Sequence, residues 1–230
     1  MRNILFEDVT VERNHRIVLD SINLSVRAGE SIGIFGPNGA GKTTLLNLVN
    51  GLINYKSGKV LVGNVIVSPA SARKIQLIAG YVPQNFELDP KIPILTGTVV
   101  LSGCYGKLGL FHYPDSLLIE KAREIMNQFE IPHLFLRPFG QISEGERQKA
   151  MIARSLMQEP EILLLDEPFS SISERSKETI TEIIKKWQKE KGFTMLLVSH
   201  ERPVIEKLCD RVIYLEEGKI VSQEKIYGNL

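Results

Sequence analysis

Gly36-Pro37-Asn38-Gly39-Ala40-Gly41-Lys42-Thr43 is the stretch whose reading decides the fold. It fits G-x-x-x-x-G-K-[ST], a pattern that carries meaning only between a strand and a helix. Both flanks are legible. Ser31–Phe35 is a short run of buried-strand length, and Thr43–Leu52 spaces its apolar residues as a helix does before stopping at Asn50-Gly51. Gly36, Gly39 and Gly41 let the backbone bend until successive N–H groups face inward, toward phosphate oxygens. Pro37, Asn38 and Ala40 complete the candidate binding loop, and the next helix contributes the positive end of its dipole. Lys42 can reach the β- and γ-phosphates of ATP, the Thr43 hydroxyl can ligate Mg²⁺, and Thr44 is placed for a further phosphate contact. A glycine-rich turn with a chance lysine is the plain alternative; the agreement of motif and flanks argues against it.

A second run, Ile162-Leu163-Leu164-Leu165-Asp166-Glu167-Pro168, reads as a buried strand that delivers two carboxylates to a sheet edge. Many strands end in an acid, so this run gains its force from the glycine loop. In that setting Asp166 would hold Mg²⁺ through water and Glu167 would polarise an attacking water. Around these two runs, Ile4–Val11, Ile22–Val26 and a hairpin at Gly63-Asn64 suggest antiparallel strands. From Ile162 onward, strands at Ile162–Leu165, Met195–Val198 and Arg211–Leu215 alternate with helical patterns, the first carrying Ile180, Ile183, Ile184 and Trp187. That alternation predicts an α/β fold: a mainly parallel sheet with helices on both faces, plus an N-terminal antiparallel β part. Residues 86–158 read as helical, with Leu118, Ala122, Ile125, Met126 and Phe129 on one face and Ile152, Ala153, Leu156 and Met157 on another. The expectation is one P-loop domain over 1–230, its core formed by 1–85 and 159–230 and its inserted helical subdomain by 86–158.

Composition narrows the classes. The apolar share is 43%, enough for a sizeable core, and the formal net charge is +1 with both signs mixed along the chain. Nothing there proposes a nucleic-acid partner. No run approaches the roughly 20 apolar residues that span a bilayer, and the N-terminus lacks the apolar stretch of a signal peptide. Cys104 and Cys209 lack ligand spacing and read as free thiols in a reducing compartment.

Five motifs occur in order: the glycine loop, Gln84 in Tyr81-Val82-Pro83-Gln84, Ile142-Ser143-Glu144-Gly145-Glu146-Arg147-Gln148, Asp166-Glu167, and His200 after Met195–Val198. In this order the chain resembles the nucleotide-binding subunits of ABC transporters over nearly its whole length. The resemblance implies an ATPase subunit on the cytoplasmic face of a membrane. It implies a head-to-tail homodimer, a membrane permease partner and an extracytoplasmic substrate-binding protein in the full complex. By the same resemblance Gln84 senses Mg²⁺ and the attacking water, and His200 contacts the γ-phosphate. Ser143 and Gly145 would bind the γ-phosphate of the ATP on the opposing subunit. Read alone, Gln84 is a loop glutamine and His200 a strand-end histidine.

The departures carry their own expectations. The family usually has glycine at the position of Glu144 and glutamine at that of Glu146. Ser143-x-x-Glu146 is also a capping box. A carboxylate at about 8 Å from a γ-phosphate costs about 2 kcal/mol at an effective dielectric near 20, less if it turns to solvent. Weakened closure is therefore expected. Ser173 stands where aspartate is common, and the two residue types cap a helix about equally well. Arg13 aligns with the usual adenine-stacking aromatic; its guanidinium, or the His15 ring, is the candidate for the base.

Asp89-Pro90-Lys91-Ile92-Pro93-Ile94 and Thr98–Phe111, with its run Gly103-Cys104-Tyr105-Gly106-Lys107-Leu108-Gly109, resemble the corresponding segment of zinc and manganese importers. The signature segment is also similar to that of iron-siderophore importers. A generic amphipathic helix and loop explains the same residues without a substrate. His112 and His133 have no ligand-spaced partner and read as loop residues. Three rivals are a DNA- or ribosome-acting ATPase of the superfamily, a small-molecule kinase, and a cassette that binds ATP but turns it over poorly. Chromosome-maintenance members of the first kind carry long coiled-coil insertions, whereas only about a hundred residues separate Lys42 from Ser143 and no heptad run is visible. Translation-factor members usually carry two cassettes, and one is read here. The second has no use for the Gln84, Ser143 and His200 set. The departures at Glu144, Glu146, Ser173 and Arg13 are what the third rests on.

Overall fold

Burial alternates along Ile4–Arg13 (β1) and Arg16–Val26 (β2), so each turns one face to a core, and they pair antiparallel. Asn14 and His15 join them with φ of 50° and 60°, the positive values a tight hairpin turn demands. In the computed structural model, which describes residues 2–86, 89, 92–109 and 112–226, this hairpin begins a four-stranded antiparallel sheet. After Ser31–Phe35 (β3) and Lys42–Val49 (α1), strands Ser57–Val62 (β4) and Val65–Ile66 (β5) complete it in the order β2-β1-β4-β5. The expected hairpin at Gly63-Asn64 is there, with Val62 opposite Val65 and Leu61 opposite Ile66.

The chain continues through Ala72–Gln76 (α2) and Ala79–Val82 (β6) into the helical block. That block holds Thr96–Leu108 (α3), Ser116–Gln128 (α4) and Glu144–Met157 (α5), with single 3₁₀ turns at Pro132–Leu134 and Phe139–Gln141. Then follow Ile162–Asp166 (β7), Glu174–Lys191 (α6), Thr194–Val198 (β8), Arg202–Leu208 (α7), Arg211–Glu216 (β9) and Lys219–Lys225 (β10). The second sheet runs β10-β9-β3-β8-β7-β6 and is parallel throughout except at the β9–β10 edge.

Every residue of β7 and β8 is buried, which is what a strand covered on both faces requires. The pleat splits their side chains between two cores. Leu163 and Leu165 join the helical block, with Met126, Phe129, Ile152 and Leu156; Ile162 and Leu164 join α1 and the antiparallel sheet, with Phe6, Val11 and Leu46. Truncating either leucine set would open a cavity worth about 2–5 kcal/mol per residue. Among the expected helix faces, Ala122, Ile125, Met126 and Phe129 are buried as read, while Leu118 is only partly covered.

Three features differ from, or add to, the sequence reading. The strand β6 is short and glycine-containing; Gly80 is admitted because a Cβ there would lie 2.9 Å from the Ser155 carbonyl oxygen. Ser173 occupies the N-cap of α6, yet its hydroxyl makes no cap bond and donates to Ser176 Oγ at 3.2 Å. The glycines at 103 and 109 have packing roles. A Cβ at Gly103 would collide with the Arg154 carbonyl oxygen on α5, and Gly109 ends α3 with φ 84°. Pro90, Lys91, Leu110 and Phe111 lie outside the described residues.

Candidate active site

The strand order β3-β8-β7 places three carboxyl ends side by side, the part of an open α/β sheet where ligands bind. Beyond β3 comes the glycine loop, beyond β7 the pair Asp166-Glu167, and beyond β8 Ser199-His200. They surround a cavity of about 360 Å³ lined by Val18, Asn38, Gly39, Gly41, Lys42, Thr43, Thr44, Gln84, Asp166, Glu167 and Val198.

Gly36, Gly39 and Gly41 all hold positive φ, and at two of them a side chain would also collide. A side chain at Gly36 (φ 152°) would strike the Leu215 carbonyl oxygen, and one at Gly41 (φ 100°) would lie 2.6 Å from Leu19 Cδ2. Lys42 is buried, and its ammonium donates to the carbonyl oxygens of Gly36 at 2.8 Å and Pro37 at 2.9 Å. Two of its three donors thus brace the loop, and one remains for a ligand. The helix α1 begins at Lys42 with Gly41 as a left-handed N-cap and no side-chain cap, so its first N–H groups are uncommitted.

Asp166 is 1% exposed, and among the described residues neither carboxylate oxygen has a hydrogen-bond partner within bonding geometry. Burial pushes its pKa up; the Thr43 hydroxyl opposes that, the Glu167 charge adds to it, and Lys42 opposes it again. An orphaned buried carboxylate beside a threonine hydroxyl and a glutamine is an all-oxygen donor set, and it fits a hard divalent cation such as Mg²⁺ that keeps some of its waters. Asp166 also helps raise the Tyr81 phenol to about 12, after burial, which is the larger cause. The Asp166 shift gives a stability prediction. A carboxyl raised in the folded state favours folding at low pH and loses that contribution as pH rises through the raised value. Asp166→Asn should therefore raise the melting temperature of the nucleotide-free protein at neutral pH, by about 2–4 °C per kcal/mol of relieved desolvation. The gap should close on acidification. Calorimetry at two pH values checks this, and a lower melting temperature at neutral pH contradicts it.

Glu167 is 7% exposed and holds φ 48°, a conformation that costs a non-glycine residue about 1–3 kcal/mol unless its surroundings impose it. Here they do. Its N–H donates to the Val198 carbonyl at 3.0 Å, and its Oε2 lies 2.9 Å from His200 Nδ1 and accepts the His200 N–H at 3.4 Å. A protonated His200 can donate from Nδ1 to Glu167 and from Nε2 to an anion, and its side chain is 61% exposed.

The remaining expected residues lie elsewhere. Arg13 is at the exposed end of β1, outside the cavity lining, and His15 stands fully exposed at the hairpin tip. Ser143 caps α5 with the complete capping box foreseen: its N–H and Oγ donate to Glu146 Oε2 at 2.8 and 2.7 Å, and Glu146 N–H returns a 3.4 Å bond to Ser143 Oγ. Those bonds hold the Glu146 pKa down. Gly145 follows in the same turn. Ser143 and Gly145 do not line the cavity, so within one chain the site is built from one side only. Val18 and Val198 line it without any sequence signal, since only the folded sheet brings them to the loop. Cys104 and Cys209 are both buried, and burial pushes both thiols upward in pKa. Among the described residues no helix is long and apolar enough to cross a membrane.

Comparison with known proteins gives the family. The family model described as ABC transporter matches residues 19–170. The high-affinity zinc uptake system ATP-binding protein ZnuC of Bacillus subtilis is 32% identical over 95% of this chain and 93% of its own. The manganese transport system ATP-binding protein MntB of the same organism is 34% identical over 93% of this chain and 83% of its own. Among solved structures, a dimeric, post-hydrolysis state of the ATP-binding cassette MJ0796 bound to ADP and Pi superposes with a TM-score of 0.86 at 29% identity, covering 98% of this chain and 99% of that one.

Proposed function

Because the chain belongs to the ABC transporter family, as an ATP-binding subunit whose hydrolysis of ATP is coupled to transport, we propose that it drives import of a metal cation, zinc or manganese. It would do so as a head-to-tail pair docked on a membrane permease at the cytoplasmic face, with an extracytoplasmic substrate-binding protein in the full complex. The observation that carries the motor reading is the convergence of Lys42, Thr43, Asp166 and Glu167 on one cavity, where the buried Asp166 oxygens have no hydrogen-bond partner within bonding geometry among the described residues. Support for the pair is that Ser143 and Gly145 stand away from that cavity, as they would if they served a second copy. Support for the metal cargo is the likeness to ZnuC and MntB.

In this reading the bent loop and α1 receive the triphosphate, Lys42 turns its remaining donor to it, and Arg13 or His15 meets the base. Thr43, Asp166 and Gln84 would hold Mg²⁺, which supplies charge neutralisation at the β- and γ-phosphates. Glu167 orients a water in line with the γ-phosphoryl group, and its bond to His200 fixes the direction of its carboxylate. Lys42 and the second nitrogen of His200 stabilise charge that develops during transfer. Reconstituting the chain with its permease in liposomes and measuring ATPase against a panel of ions tests the cargo. Stimulation by zinc or manganese is expected; stimulation by neither, with another solute effective, overturns that assignment.

A further inference from the structure

Resting on the two-copy reading above, we infer that Ser171 is a positioning residue that holds the Glu144 carboxylate on its own subunit, away from the triphosphate that the turn at Ser143–Gly145 must meet. The two residues come from different elements. Glu144 is the first residue of α5, and Ser171 lies in the loop between β7 and α6. Ser171 Oγ donates to Glu144 Oε1 at 2.7 Å. The backbones are close as well: a Cβ on Gly145 would lie 3.1 Å from the Ser171 carbonyl oxygen. The loop that follows the catalytic acid therefore leans directly on the turn that would face the second nucleotide.

Two carboxylates stand in the first turn of α5, and their tethers differ. Glu146 is occupied by Ser143, within its own capping box. Glu144 has no part in that box, and the bond to Ser171 is what directs it. A helix N-terminus attracts any nearby anion, its own side chains included. An unrestrained Glu144 can swing across the free N–H groups that a phosphate would use, and it repels the phosphate at the same time. One such charge pair at about 8 Å and an effective dielectric near 20 is worth a factor of about thirty in affinity. An exposed hydrogen bond restrains only part of the population, so losing it should cost roughly threefold to tenfold.

The test uses the full chain carrying Glu167→Gln, so that hydrolysis does not dissolve the complex. ATP-dependent dimerisation is measured by sedimentation for that protein and with Ser171→Ala, Glu144→Gly, or both added. Ser171→Ala should weaken the dimer severalfold, and the loss should shrink in high salt, where the repulsion is screened. Glu144→Gly should tighten the dimer, and adding Ser171→Ala to it should change nothing. A dimer in all four proteins with Ser171→Ala at the parent affinity, or with its loss undiminished in the Glu144→Gly background, overturns this assignment alone. No ATP-dependent dimer in any of the four overturns the two-copy site on which it rests.

Discussion

Glu167→Gln is expected to slow ATP hydrolysis by about 10²–10⁴-fold, the range for losing a positioned acid–base group, while nucleotide binding survives. The substitution keeps the shape of the side chain and removes its charge. The glycine loop is braced by Lys42, whose ammonium donates to the Gly36 and Pro37 carbonyl oxygens, and the substitution leaves that bracing in place. What disappears is the anionic oxygen that accepts from His200 and would accept from water. The backbone at φ 48° is held by the bond to the Val198 carbonyl, which the side chain does not influence, so the loop beyond β7 should stay in place. Single-turnover ATPase and a nucleotide-binding titration on the same preparation check both halves. Unchanged turnover removes Glu167 from the catalytic role; lost binding shows that it shapes the pocket instead.

Lys42→Ala should abolish useful ATP affinity, by about 10²-fold or more, since charge-assisted hydrogen bonds to phosphate contribute about 1.5–3 kcal/mol each. The side chain works twice. It would contact the triphosphate, and it already ties the carbonyl oxygens of Gly36 and Pro37 from within the loop. Removing it leaves those two acceptors without their donor in a segment whose glycines impose no conformation of their own. The variant should therefore lose affinity through disorganisation of the cradle as well as through the missing charge. Isothermal titration with Mg-ATP measures the loss. Affinity within a few-fold of the unaltered chain would mean that the triphosphate does not sit where the loop is.

Most of the catalytic half of the site was legible because its residues are carried by contiguous motifs. The loop 36–43 and the pair Asp166-Glu167 each follow an apolar strand, and their chemistry depends on being at a strand end. The capping box at Ser143 was legible for the same reason, since its partners are three residues apart. What the sequence does not carry are encounters between distant segments. Val18 reaches the cavity through the antiparallel sheet, Ser171 reaches Glu144 from another element, and His200 meets Glu167 only because β7 and β8 are neighbours. Short elements such as α2, β6 and α7 are fixed by packing on their neighbours, so local periodicity has too few residues to reveal them. The glycines at 103 and 109 show the opposite hazard. They look like marks of a cargo, yet a close helix crossing and a helix end account for them at least as directly.

The sharpest measurement is a crystal structure of the Glu167→Gln chain grown with Mg-ATP. Two copies should face each other in opposite directions, with each triphosphate enclosed by residues 36–43 of one chain and closed over by Ser143 and Gly145 of the other. A nucleotide bound away from the loop, or held there with residues 143–145 of every copy turned to solvent, would contradict it.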